Sequence, residues 1–164
     1  MSLRIRTLND QPVRPTGEYI LYWMVMYRRP RWNFALDRAI ELGAEHGLPV
    51  IVFEPLRCGY QWASDRLHAF ILQGMADNRE AFEASPVGYY PYVEDQAGAG
   101  KGLLSALAER AKLVVTDDYP CFMIPRMQAA AASKIGCAME AVDSNGLLPI
   151  RTTDKEFTRA YSFR

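Results

Sequence analysis

Residues 18–33, EYILYWMVMYRRPRWN, decide how the rest of the chain is read. They open on a nearly unbroken apolar run, 19–25. They pass through an arginine-rich turn at Arg28, Arg29, Pro30 and Arg31, and close on Trp32 and Asn33 at the head of a helical pattern. An apolar run with no polar face suits a strand covered on both sides, as in a parallel sheet. A buried strand that ends in a cationic turn and feeds a helix is how an open α/β sheet builds a ligand site at its carboxyl edge.

Outward from this stretch the same alternation repeats. Residues 32–46 carry Trp32, Ala35, Leu36, Ala39, Ile40 and Gly43 at three- and four-residue spacing, an inward helical stripe that Gly47 terminates. Strand patterns follow at 49–53, 89–93, 113–116 and 137–142. Helical patterns fall at 62–84 (Leu67, Phe70, Ile71, Met75 and Phe82 inward, Ser64 or Asp65 as cap), at 103–111, and at 124–135 with Met127, Ala130, Ala131 and Ile135 inward. Five strands alternating with four helices predict an α/β fold, a Rossmann-like five-stranded parallel sheet with helices on both faces and right-handed crossovers. Residues 1–17, broken by Asn9-Asp10, Pro12, Pro15 and Gly17, read as an irregular arm; 18–150 form the α/β domain; 151–164 are a tail. Met1, Ser2 and Leu3 carry no weight in this reading.

Composition agrees with one soluble globular domain: 164 residues, 49% apolar and 23% charged. No run approaches the roughly 18 apolar residues of a membrane span, and the N-terminus lacks a signal-peptide core, so a cytoplasmic location is expected. Cys58, Cys121 and Cys137 are odd in number and form no CxxC pair, which argues for reduced thiols over disulfides or zinc. Net charge is zero but uneven. Residues 1–31 hold six arginines against Asp10 and Glu18, and 151–164 are also basic, so the body between is acidic. The basic ends suit a polyanion or an acidic partner surface; ordinary solvated flanks explain them equally well.

Several motifs lose to blander readings. Gly98-Ala99-Gly100-Lys101-Gly102 resembles a phosphate loop, but Asp95 stands where the first glycine belongs and Gly102 where Ser or Thr belongs; Glu94-Asp95 would also repel phosphate. His46 reads as a surface residue at a helix C-terminus, and His68 as a helix side chain with a local hydrogen bond. No metal site or catalytic triad follows from spacing. Asp117-Asp118 suits magnesium or a hydroxyl-rich ligand, or loop and helix-start hydrogen bonding. Polar groups do collect where strands end: Arg28 and Arg29, Glu54, Asp117 and Asp118, and Asp143. Tyr22, Trp23 and Tyr27 flank the first strand end, and Tyr89, Tyr90 and Tyr92 the third. Rings beside arginines and carboxylates suit a planar polar heterocycle.

The run Gly17-Glu18-Tyr19-Ile20-Leu21-Tyr22-Trp23-Met24, an arginine turn, and Asn33-Phe34-Ala35-Leu36 resemble the opening of the class II DNA photolyases. So do Pro49-Val50-Ile51-Val52-Phe53, Arg66 through Gly74, Val114-Val115-Thr116-Asp117, Ala141-Val142-Asp143-Ser144-Asn145 with Pro149, and the close from Lys155 to Arg164. One departure is Arg31-Trp32 before Asn33, where that family typically carries an acidic residue. The resemblance implies the N-terminal antenna domain of a light-driven repair enzyme for pyrimidine dimers, a carbon–carbon lyase. Its guest would be a deazaflavin or a folate, held by Trp23, Met24, Arg28, Arg29, Glu54, Asp117 and Asp118 through stacking and hydrogen bonds. FAD and the DNA contact would belong to a helical flavin-binding domain, on the same or a separate chain, with 151–164 as the start of the linker. The α/β domain alone would then have no catalytic residue and no metal. Two other expectations stand beside this one: a nucleotide-binding module of the universal-stress or nucleotide-hydrolase kind, and a ligand-free interaction domain.

Overall fold

The structure is a computed structural model that describes residues 3–163; Met1, Ser2 and Arg164 lie outside the described residues. The elements in order are β1 (Ile5–Thr7), β2 (Tyr19–Trp23), α1 (Phe34–His46), β3 (Val50–Leu56), α2 (Asp65–Glu83), β4 (Gly88–Val93), α3 (Leu103–Arg110), β5 (Ala111–Asp117), α4 (Ile124–Ala132) and β6 (Met139–Val142). Short 3-10 turns follow at Ile150–Thr152 and Ala160–Phe163. The strands form one sheet in the order β1-β6-β5-β2-β3-β4. The five expected strands pair in parallel.

The sixth strand is a departure from the sequence reading. Residues 5–7 lie in the arm expected to be irregular, yet they pair antiparallel with β6, Ile5 opposite Val142. Three residues are too short for alternation to reveal. Side chains hold the rest of the arm. Asn9 accepts from the Met139 N–H and donates to the Cys137 carbonyl, and the Arg14 guanidinium takes the carbonyls of Ala108 and Ala111. At Gly17 the arm passes so close to Lys112 that a Cβ would stand 2.1 Å from the Lys112 Cα. Only glycine permits that approach.

β2 is central and every one of its residues is buried. Alternate side chains feed two cores, as the period of a strand dictates. Ile20 and Tyr22 join Leu36, Ala39 and Phe82 beneath α1 and α2; Leu21 and Trp23 join Ala108 and Ile124 beneath α3 and α4. Helices thus cover both faces. α1 starts at Asn33, whose Oδ1 accepts from the N–H groups of Ala35 and Leu36, and stops at Gly47, left-handed at φ 64°. Ser64, one of the two expected caps, bonds the Leu67 N–H.

The helical stripes are narrower than the sequence suggests. Trp32 and Ile40 are exposed, and Leu42 takes an inward place on α1. On α2 only Met75, Asn78 and Phe82 are buried, while Leu67 and Phe70 face outward. On α4 the inward line is Ile124 and Gln128, with Ala130 exposed. Apolar spacing marks a face of a helix; it does not say how far along the helix the sheet extends beneath it.

Candidate functional site

The chain winds outward from β2 through β3 to β4, then returns to the other side of β2 for β5 and β6. The carboxyl ends of β2 and β5 are therefore the topological switch point, where the two outgoing loops diverge and an open α/β sheet presents its crevice. The sequence-predicted residues converge on this edge, and their polar atoms are taken up by the protein itself.

Asp117 is fully buried at the end of β5. Its Oδ1 accepts from the Tyr22 hydroxyl at 2.5 Å, and its Oδ2 from the N–H groups of Val25, Met26 and Tyr27 at 2.9, 2.6 and 3.0 Å. Three successive N–H groups make a concave anion seat, and the carboxylate of the neighbouring strand fills it. Burial pushes the Asp117 carboxyl above its ordinary value, against the pull of the four donors. The same burial, reinforced by Asp117, pushes the Tyr22 hydroxyl well up.

Glu54, fully buried at β3, pairs with Arg28 at 3.1 Å and accepts from Asn78 at 2.9 Å and from the Tyr89 hydroxyl at 2.6 Å. Arg28 also bonds the Pro55 carbonyl. Of the polar groups gathered at this edge, Arg28 is the turn arginine that pairs with an acid. The other acids take arginines from the ends of the chain: Asp118 pairs with Arg6 and Arg151, and Asp143 with Arg4. Much of the basic character of those ends is thus spent inside the fold. Arg29 instead bonds the carbonyls of Trp32 and Ser144. Trp23 and Met24 are buried in opposite cores. Tyr89 stacks on Phe82 and Tyr90 on Phe53, which makes them partners within the fold.

The glycine loop after β4 repeats the pattern of Asp117. Gly98 and Gly100 donate their N–H groups to Glu94 Oε1 at 2.9 and 3.3 Å; the Cys58 N–H and thiol approach Oε2 at 3.1 and 3.4 Å. The seat that resembles a phosphate loop holds the chain's own carboxylate.

What the edge leaves open is aromatic. Tyr27, from the β2–α1 loop, meets Tyr119 edge-on at 6.1 Å; Tyr119 stacks with Phe122 at 6.2 Å; Phe122 meets Trp62 of the β3–α2 loop edge-on at 5.9 Å. Four rings on three loops therefore run across the switch point. Trp62 is 61% exposed and Phe122 63%. Both have left-handed backbones, at φ 71° and 58°, which bulky residues adopt only at a cost. At Asp118, the residue before Tyr119, Arg151 donates a hydrogen bond, while its Nη1 is buried and, among the described residues, without a hydrogen-bond partner. The sequence reading missed Trp62, Tyr119, Phe122 and Arg151. The available signal was a bulky ring in each of two strand-following loops, at 62 and 122, among polar and turn-forming neighbours.

His46 lies in the last turn of α1 as expected. His68 departs from expectation: its ring meets Tyr60 at 5.6 Å and, among the described residues, its Nε2 has no hydrogen-bond partner. The three cysteines are free thiols. Among the described residues no three His, Cys, Asp or Glu side chains gather to hold a metal, and no helix is long and apolar enough to cross a membrane. Two surface concavities, of about 420 and 350 Å³, lie along β4 and between α1 and α2, away from the switch point.

No family model matches the chain. It is 30% identical over 162 residues to the deoxyribodipyrimidine photo-lyase of Methanothermobacter thermautotrophicus, a match that covers 98% of this chain and 36% of that protein. The chain thus spans about a third of the relative's length. A solved structure from the universal stress protein family of Burkholderia pseudomallei covers 76% of this chain at 16% identity and a TM-score of 0.44, too distant a likeness to bear on the site. Nearly the whole chain is therefore similar to one part of a photo-lyase.

Proposed function

We propose that this chain is a photolyase-type antenna domain: an N-terminal α/β module that holds a planar chromophore and docks onto a helical flavin-binding domain. The observation that carries this reading is the match to a photo-lyase along 98% of the chain. The guest is a deazaflavin or a folate, which when bound would absorb near-ultraviolet or blue light and pass the excitation on. A cytoplasmic location, with free thiols, goes with this reading.

The residues present fit such a guest. The exposed faces of Trp62 and Phe122 offer stacking area at the switch point. The orphaned Nη1 of Arg151, whose guanidinium is held on Asp118, the residue before Tyr119, offers a donor for a ring carbonyl or carboxylate. Arg28, Glu54, Asp117 and Asp118 hold the loops that carry these groups; Trp23 and Met24 anchor the end of β2 in the two cores, and Arg29 ties the turn to Ser144. Rings beneath a desolvated heterocycle contribute through dispersion and offset stacking, and the fixed loops lower the ordering cost of binding. Residues 151–164 would lead toward the helical domain, which would supply FAD and the main DNA contact. A nucleotide is the weaker guest, because both backbone anion seats at this edge are already filled, by Asp117 and by Glu94.

Titration of the purified chain with an 8-hydroxy-deazaflavin and with a methenyl-folate, followed by absorbance and by quenching of tryptophan fluorescence, tests the reading. One of the two should bind, with a shifted chromophore band, and Phe122→Ala should weaken it about tenfold, the loss of one stacking contact. Absence of binding by either at 100-fold excess would sink the antenna role while leaving the fold intact.

A further inference from the structure

The turn that organises the sequence has a second, separate feature. Its interior is tied down. Asn33 Nδ2 donates to the Tyr22 hydroxyl and to the carbonyls of Tyr27 and Arg29. Arg28 is anchored on Glu54. Arg29 clamps the Trp32 carbonyl with two of its nitrogens and reaches the Ser144 carbonyl with one of them. Its guanidinium also lies 5.4 Å from the centre of the Tyr27 ring. At the tip of this held loop stands Trp32, 84% exposed and left-handed at φ 53°. Beside it in sequence is Arg31, exposed and, among the described residues, without an ion pair or hydrogen bond.

Among the described residues, three non-glycine residues have positive φ: Trp32, Trp62 and Phe122, all of them exposed rings. Trp62 and Phe122 lean on each other; Trp32 has no ring contact among the described residues. A fold that strains its backbone to hold an indole in solvent has built a contact point. Among the described residues neither Arg29 nor Arg31 has a carboxylate partner, whereas the arginines at 4, 6 and 151 all do. The N–H groups of Ala35 and Leu36 at the start of α1 already belong to Asn33, so what the tip offers is its side chains.

We propose that Arg29, Arg31 and Trp32 form an auxiliary contact for single-stranded nucleic acid, with a base stacked on the indole and flanking phosphates on the two guanidiniums. A flat exposed ring beside planar cations is the recognition chemistry of an unpaired strand, because every base has a π-face and guanidinium matches phosphate. An acidic peptide would use the charges and leave the indole idle. This proposal does not rest on the antenna reading: it shares only Arg29 with it, and its tests use Arg31 and Trp32, which that reading does not involve.

The test is anisotropy of a labelled fifteen-residue oligothymidine, titrated with the full chain between 20 and 200 mM salt. Binding should be weak, on the order of 100 μM at the lowest salt, as suits non-specific contact with few charges. The slope of log affinity on log salt should be about −1.4, for two phosphates neutralised on a single strand. Trp32→Ala should cost about tenfold, and Arg31→Ala should weaken binding and bring the slope to about −0.7. Both side chains are exposed, so the far-ultraviolet dichroism should not change. Failure to bind at 20 mM salt, binding that neither variant weakens, or equal competition by polyglutamate would each overturn the proposal.

Discussion

Asp117 and Glu94 occupy the same kind of seat at two places along one sheet edge, the first at its centre and the second at its end. Each is a carboxylate closing a strand, and each is ringed by N–H groups from a loop that in other sheets receives a phosphate. They differ in depth. Asp117 is sealed between two central strands, with its fourth donor the buried Tyr22 hydroxyl; Glu94 closes an outer loop beside the edge strand β4. The comparison separates what the geometry achieves from what it costs. Both seats exclude an outside anion, but only the inner one holds the fold together.

The largest effect expected from that difference is on stability. Asp117→Ala leaves the N–H groups of Val25, Met26 and Tyr27 without an acceptor, while the Tyr22 hydroxyl keeps Asn33 Oδ1 at 3.3 Å. At about 1 kcal/mol for each of the three, the low end for an orphaned buried group, the loss is at least about 3 kcal/mol. That is more than half the stability of a domain at the marginal end of the usual range. Glu94→Ala frees donors in a surface loop that water can satisfy, so about 1 kcal/mol is expected. Urea denaturation of both variants reads the difference directly, and equal midpoints would erase the distinction between the two seats.

A smaller effect separates them by sign. Burial raises the Asp117 carboxyl from its ordinary 3.8, outweighing its donors. At Glu94 burial also pushes upward, but the N–H groups and the thiol win, and the carboxyl is lowered from 4.5. By linkage the Glu94 contribution is fully present above pH 4.5 and is lost as pH falls through its lower folded value. The Asp117 contribution is fullest below pH 3.8 and is lost as pH rises through its raised one. Carbon-13 carboxyl titrations should therefore bracket the ordinary range, Asp117 above and Glu94 below. Two transitions on the same side would mean that depth does not govern the balance.

Much of this edge was legible beforehand, and the illegible part has a physical reason. The parallel order follows from the unbroken apolar runs at 19–25 and 113–115, and Arg28 and Glu54 were already marked as polar groups gathered at the carboxyl edge. The consumption of Asp117 could not be read. It depends on the loop at 25–27 folding back so that three N–H groups converge, and backbone direction leaves no mark on residue type. The antiparallel strand at 5–7 was hidden for want of length. Trp62, Phe122 and Trp32 escaped because the apolar pattern assigns rings to cores, and these three stand outside them.

Those rings also offer the subtlest contrast with the filled seats. The seats are stable because every donor is met; the rings are held in place against a backbone penalty of about 1–2 kcal/mol each. Phe122→Ala removes the contacts with Tyr119 and Trp62, about 0.5–1.5 kcal/mol, and keeps the left-handed strain. Phe122→Gly loses the same contacts and relieves the strain, while paying about 0.5–1 kcal/mol in chain entropy. Glycine should therefore be the more stable replacement by about 0.5–1 kcal/mol, the reverse of the order in a helix or strand. Paired thermal unfolding of the two variants measures it. If alanine proves the more stable, the left-handed backbone at 122 costs nothing, and the strain that marks the open rim as different from the filled seats is absent.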